Sequence, residues 1–170
     1  FCMSNVYEHL SDPAKGLLKV FLSAPSDLSL PELIYFNGDD AHETQSAIQE
    51  LLTTNMLLMG STPTDDARIV ETRYKIGDLP RMYLTRHHPL TPDEDRVLAT
   101  ARGKLADHER KISHQISGDP YDPNSVGIRS RSDLLIARHL LEATRLSAAG
   151  DTSGALAAVA AANSIGPHYY

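Results

Sequence analysis

A chain of 170 residues has room for one ordinary domain, or for a small domain of roughly 80 residues with a helical extension. With 41% hydrophobic and 22% charged residues it has the composition of a globular protein, which excludes disordered and fibrous classes. The net charge of -6 argues against nucleic acid or an acidic membrane surface as partner, and the single cysteine excludes an internal disulfide or a Cys-based metal cluster.

Ser11-Asp12-Pro13 opens the first predicted helix, with a capping side chain followed by a proline in the first turn, where its missing N–H costs nothing. Leu17, Leu18, Phe21 and Leu22 recur at helical spacing, and the run ends near Ala24-Pro25. Ser29-Leu30-Pro31-Glu32 is a capping box ahead of Leu33, Ile34 and Phe36, and Asn37-Gly38 stops this short second helix. Asp40-Ala41-His42-Glu43 repeats the cap pattern, and Ala47, Ile48, Leu51 and Leu52 form the stripe of a third helix ending near Asn55. Met56-Leu57-Leu58-Met59, a polar loop from Gly60 to Arg68 and a strand over Ile69 to Ile76 then predict a hairpin. Three helices closing on a two-stranded wing is the winged-helix order.

After Pro89, Thr91-Pro92-Asp93-Glu94 starts a longer helix with Val97, Leu98, Ala101, Leu105, His108 and Ile112 on one stripe, which has to pack on a neighbour. Gly118 to Asn124 is rich in breakers and marks a boundary, and two helices follow, roughly Arg131 to Ala149 and Thr152 to Ser164. The expected fold class is mainly α: a winged helix (three helices plus a β-hairpin) over 1–90, a linking helix and loop over 91–130, and a tetratricopeptide-like helical hairpin over 131–170. The start, Phe1-Cys2-Met3-Ser4-Asn5, has no basic region before an apolar block, and no apolar run approaches roughly 18 residues. These features predict a cytoplasmic protein with no membrane partner. The missing initiator Met and the ending on Tyr169-Tyr170 after an apolar run read as a piece of a longer protein.

Catalytic chemistry is not expected. No G-x-x-x-x-G-K-[ST] occurs, so the chain should not hydrolyse nucleotide, and no G-x-S-x-G elbow marks a serine nucleophile. Eight histidines include no H-E-x-x-H. His87-His88 is expected in a polar connector, Asp107-His108-Glu109 and His114 on a helix surface, and Cys2 as inert; no metal site is predicted. A DNA reader needs cations on its recognition helix and wing. From Pro31 to Asp66 there is no Lys or Arg, while Glu32, Asp39, Asp40, Glu43, Glu50, Asp65 and Asp66 are present. Some of these acids cap helices, but a duplex would be repelled. The basic residues, Arg81 with Arg86, Arg102 through Lys111, and Arg129, Arg131 and Arg138, interleave with acids as on a solvated surface.

Gly150-Asp151 at a turn, with Ala143 and Leu146 before it and Ala155, Val159, Ala162 and Pro167 after it, resembles the tetratricopeptide repeat, a helical hairpin of about 34 residues. His139 and Glu142 stand where the repeat commonly has an aromatic residue and a leucine. The Leu-rich first helix, Ser29 to Leu33, Ala47 to Leu52, the wing and Tyr74 to Leu84 resemble the winged-helix domain after the nucleotide-binding core of STAND-class (NB-ARC/NACHT-like) signalling NTPases. The stretch Gly77-Asp78-Leu79 is similar to the family's closing Met-His-Asp-Leu signature, whose histidine helps hold ADP. Gly77 replaces that histidine, so the resemblance carries over Asp78, beside the nucleotide core, and no sensing side chain at 77.

The resemblance implies a non-catalytic regulatory and protein-binding fragment of a signal-transducing NTPase. Its winged helix docks on a nucleotide-binding core that the chain lacks, with Asp78, Tyr74 and Arg81 nearest that core. Its repeats sense a ligand or partner, with Leu146, Ala155, Val159 and Ala162 as packing positions. No cofactor is expected in the fragment itself; ATP or ADP and oligomer formation belong to the parent. The rival expectations are a winged-helix transcription regulator with a C-terminal helical dimerisation domain, and a free-standing protein-interaction module.

Overall fold

The computed structural model describes residues 3–63, 70–115 and 131–166. Eight helices and three short strands make up the described residues, a mainly helical fold with a small antiparallel sheet. Cys2, Asp65, Asp66, the expected loop at Gly118 to Asn124, Arg129, Pro167 and Tyr169-Tyr170 lie outside them.

Side-chain caps set most helix starts. Helix α2 (Asp12–Ser23) begins where Ser11 accepts a hydrogen bond from the Ala14 amide, and it buries Ala14, Leu17, Leu18, Val20 and Phe21. It follows α1 (Met3–His9), a helix outside the expected elements, whose Met3, Val6 and Tyr7 lean on the same core. Strand β1 (Leu28–Ser29) runs straight into α3 (Leu30–Phe36), so Ser29 ends a strand and caps a helix at once. Its capping box with Glu32 is complete in both directions. Gly38 and Asp39 turn the chain with φ of 71° and 66°, and Asp40 caps α4 (Ala41–Thr53) through the Glu43 amide.

Strands β2 (Leu57–Pro63) and β3 (Val70–Ile76) pair antiparallel from Leu57 opposite Ile76 to Pro63 opposite Val70. β1 adds to the other side of β3, with Leu28 opposite Tyr74, giving the order β1-β3-β2. β2 thus continues through Gly60, Ser61 and Thr62, where a polar loop is expected. Ladder hydrogen bonds satisfy the backbone whatever the side chains, and an exposed hairpin needs no apolar alternation there.

After the β2–β3 hairpin, Asp78–His87 forms helix α5, where a polar connector at His87-His88 is the only expected structural feature. Its Gly77 start has no side-chain cap, and Leu79 and Met82 point outward, so neither usual helix signal is present. Helix α6 (Pro92–Gln115) opens on a Thr91/Glu94 capping box and lies across α2 and α3: Arg102 donates to the Ser23 carbonyl at 2.7 Å and the Tyr35 hydroxyl to the Ala101 carbonyl at 3.2 Å. Of its expected stripe, Leu105 is buried and Leu98 packs on the core, whereas Val97 and His108 are exposed.

Helices α7 (Arg131–Ala148) and α8 (Thr152–Ile165) close an antiparallel pair around Gly150, at φ 82°, with Asp151 capping α8. The main core lies between α2, α4, α5 and the sheet. A smaller one, Ile34, Ala41 and Ile165 with Leu30 and Ile136, ties the helical pair to α3 and the start of α4.

Candidate docking surfaces

Asp78, the residue singled out by the closing motif, is exposed in the first turn of α5. A helix this short shows two rows. Pro80 and Leu84 face the core, and Leu79 and Met82, 70% and 69% exposed, face outward. Tyr74 and Arg81 do not join Asp78 in one site. Tyr74 packs against the core, where burial pushes its phenol pKa up, and Arg81 reaches back to donate to the Phe21 carbonyl at 3.3 Å. Gly77 is buried, donates to the Met56 carbonyl at 3.1 Å, and would place a Cβ 3.3 Å from Pro80 Cδ and 3.8 Å from the Asn55 carbonyl oxygen. The position has little room for a histidine.

The apolar surface has a counterpart on the β2–β3 hairpin. Leu57, Met59, Tyr74, Ile76 and Val70 share one face of the sheet, since residues opposite each other in a ladder project the same way. The inner pair is buried, but Met59 and Val70 continue past the helices at 65% and 63% exposure. Leu58 is half exposed on the opposite face.

The helix-turn-helix of α3 and α4 looks different. Its acids have internal partners. Glu32, buried in the capping box, meets Arg73 of β3 at 3.0 Å, and Arg73 also meets Glu71 at 2.8 Å. Glu50 accepts from the Ser11 amide at 2.9 Å and hydroxyl at 2.6 Å. Asp39, in the turn, pairs with Arg138 of α7, whose guanidinium lies 4.8 Å from the Tyr35 ring centroid. Ile165 of α8 packs against Ala41 at the first turn of α4. The first turn of α4 is therefore under the α7–α8 pair. Beside Arg138, His139 buries Nε2 without a hydrogen-bond partner, and burial first, then the Arg138 charge, holds its pKa below the ordinary value while Asp39 opposes.

On the α7–α8 pair itself, Ala143 and Ala162 are buried and Leu146 and Ala155 half-buried. Val159 is 39% exposed and Leu156 66%, along an open groove of about 590 Å³ between the helices. α8 contains no charged residue.

The histidine pair divides. His87 is exposed at the end of α5, but His88 stacks on Tyr7 at 4.0 Å and 29°, with Tyr83 beside it. His88 therefore fastens α1 to α5 and is not connector polarity. Among the described residues no group of three or more His, Cys, Asp or Glu could hold a metal ion, and no helix is long and apolar enough to cross a membrane. No family model, curated protein or solved structure matches this chain.

Proposed function

We propose that the chain is a regulatory, protein-binding module without catalytic chemistry of its own: a winged helix, a linking helix and a tetratricopeptide-type hairpin forming the arm of a STAND-class signalling NTPase. The observation that carries this reading is the outward apolar row Leu79 and Met82 on α5, directly beside Asp78. Single exposed apolar residues are ordinary, but two on successive turns of a ten-residue helix, with Met59 and Val70 exposed on the wing, suit a protein contact. The partner is the parent's nucleotide-binding core, which holds ATP or ADP. Occupancy of the helical hairpin by a protein or ligand repacks the arm and releases the core for exchange and assembly, a two-state coupling between separate sites. The reading requires a Gly-rich phosphate cradle encoded in frame before Phe1; a coding sequence without one overturns it.

The DNA-binding alternative has two features against it. The helix-turn-helix carries no cation from Pro31 to its end, and Ile165 and Arg138 sit on the turn and first helical turn that would meet base edges. Fluorescence anisotropy with a random duplex decides it: no binding at low salt is expected, and affinity that rises steeply as salt falls would restore the alternative.

A further inference from the structure

We propose that the cleft between α2 and the first turns of α6 is a binding site for a neutral, largely apolar small molecule. This goes beyond the docking reading and does not depend on it. The cleft holds about 370 Å³ and is walled by Leu17, Val20, Phe36, Val97 and Leu98, with Gly16 opening one side. Sites for small ligands have this make-up, apolar walls with few polar groups, and volumes from roughly 300 to 1,000 Å³.

Gly16 is the independent sign that the space is kept open. It sits inside α2, where glycine is among the least favourable residues, yet its backbone is ordinary helix. A Cβ built there meets nothing within 4 Å, so neither close packing nor a left-handed φ requires glycine. What a larger side chain would do is fill the cleft. Val97, 67% exposed on the opposite wall, is an apolar residue aimed at the same space.

The mouth sets the charge of the occupant. Lys19 donates to Glu94, and Thr91 donates to Glu94 through amide and hydroxyl, which hold that carboxyl down to about 2. Asp93, at the rim, faces Arg96 at 3.6 Å. Lys19 neutralises Glu94 within the lining, and Arg96, outside it, neutralises Asp93, so each carboxylate of the mouth has its own cation and the mouth offers no unpaired charge to an ionic occupant. A lysine ammonium has three donors, and Glu94 takes one. The remaining N–H groups of the part-exposed Lys19 suit one acceptor oxygen, a ketone, amide or hydroxyl, on an apolar body. An occupant against Phe36 also touches the ring that stands edge-on to Tyr35 at 5.3 Å, and Tyr35 carries Arg138 of α7. The cleft is thus one ring away from the contact that holds the helical hairpin.

The test titrates the full chain with 2-acetylnaphthalene, following backbone amides by 1H–15N spectroscopy, with 2-naphthoate, 2-(aminomethyl)naphthalene and naphthalene as comparisons. The expected result is saturable shifts centred on Gly16, Lys19, Val20, Val97 and Leu98, tighter for the neutral ketone than for either charged analogue. Gly16→Leu, which fills the cleft with a good helix former, weakens the ketone by at least about tenfold without lowering the melting temperature. Lys19→Met weakens the ketone and leaves naphthalene unchanged. If Gly16→Leu does not fold, Val97→Phe, filling from the exposed wall, gives the same reading. Absence of saturable shifts, tighter binding of a charged analogue, or ketone affinity unchanged in a folded cleft-filling variant overturns the proposal.

Discussion

Helices α2 and α8 are similar in length, 12 and 14 residues, and both are rich in apolar side chains, yet they use them in opposite ways. α2 turns Ala14, Leu17, Leu18, Val20 and Phe21 into one core with α4, α5 and the sheet. α8 buries only Ala162 and Ile165 and leaves Leu156 and Val159 facing out. The first region takes its place from its own core. The second takes its place from α7 and from a few contacts on the α3–α4 turn, so its surface remains available to other molecules.

That contrast can be broken most severely at Phe21, which is 1% exposed. Phe21→Ala is expected to cost about 3–5 kcal/mol by cavity formation, seen as loss of cooperative thermal unfolding. Arg138→Ala removes the pair with Asp39 and the stack on Tyr35 at once. Its cost is about 2 kcal/mol, and hydrogen exchange should rise in α7 and α8 while the amides of α2 keep their protection. Uniform loss of protection across both regions would show that they unfold as one unit. Gly150→Ala, at φ 82°, is expected to destabilise the helical hairpin by about 1 kcal/mol, read as a lower unfolding midpoint.

A smaller effect comes from His139. Its folded pKa lies below the ordinary 6.5, so the unfolded chain takes up its proton first as pH falls. The stability of the docked hairpin is full above that pH and declines below it. Melting temperatures between pH 7 and pH 5 should fall in the native chain and fall less in His139→Gln. Glu94 acts in the opposite ionic sense. Its carboxyl is held down to about 2, so its pairing with Lys19 favours folding above pH 4.5 and is lost as pH falls towards 2. At the quiet end, Leu156→Ser should change stability by no more than about 0.5 kcal/mol, because the side chain is 66% exposed.

What could be read from the sequence was mostly short-range. Ser11, the Ser29/Glu32 box, Asp40 and the Thr91/Glu94 box each announce a helix within four residues, and each cap forms as expected. α5 was missed because Gly77 provides no side-chain cap and because the outward Leu79 and Met82 blur the helical stripe. β1 was missed because two residues carry no periodicity. The acids of the helix-turn-helix were legible as a charge pattern but not as partners. Asp39 meets Arg138 across 99 positions, and Glu50 meets Ser11 across 39. The closing motif located Asp78, but the neighbours expected beside it, Tyr74 and Arg81, are turned to the core and to α2 by packing that local spacing does not encode.

The proposed docking face is the outward row of α5, Leu79 and Met82. The most direct measurement is the affinity of the chain for the proposed nucleotide-binding core of its parent, titrated calorimetrically in ADP, with Leu79→Ser/Met82→Ser beside the native chain. Both side chains are exposed, so the double variant should fold unchanged by circular dichroism. The account predicts affinity weakened by at least about tenfold in the variant. Equal affinity for the native chain and a folded variant would contradict it.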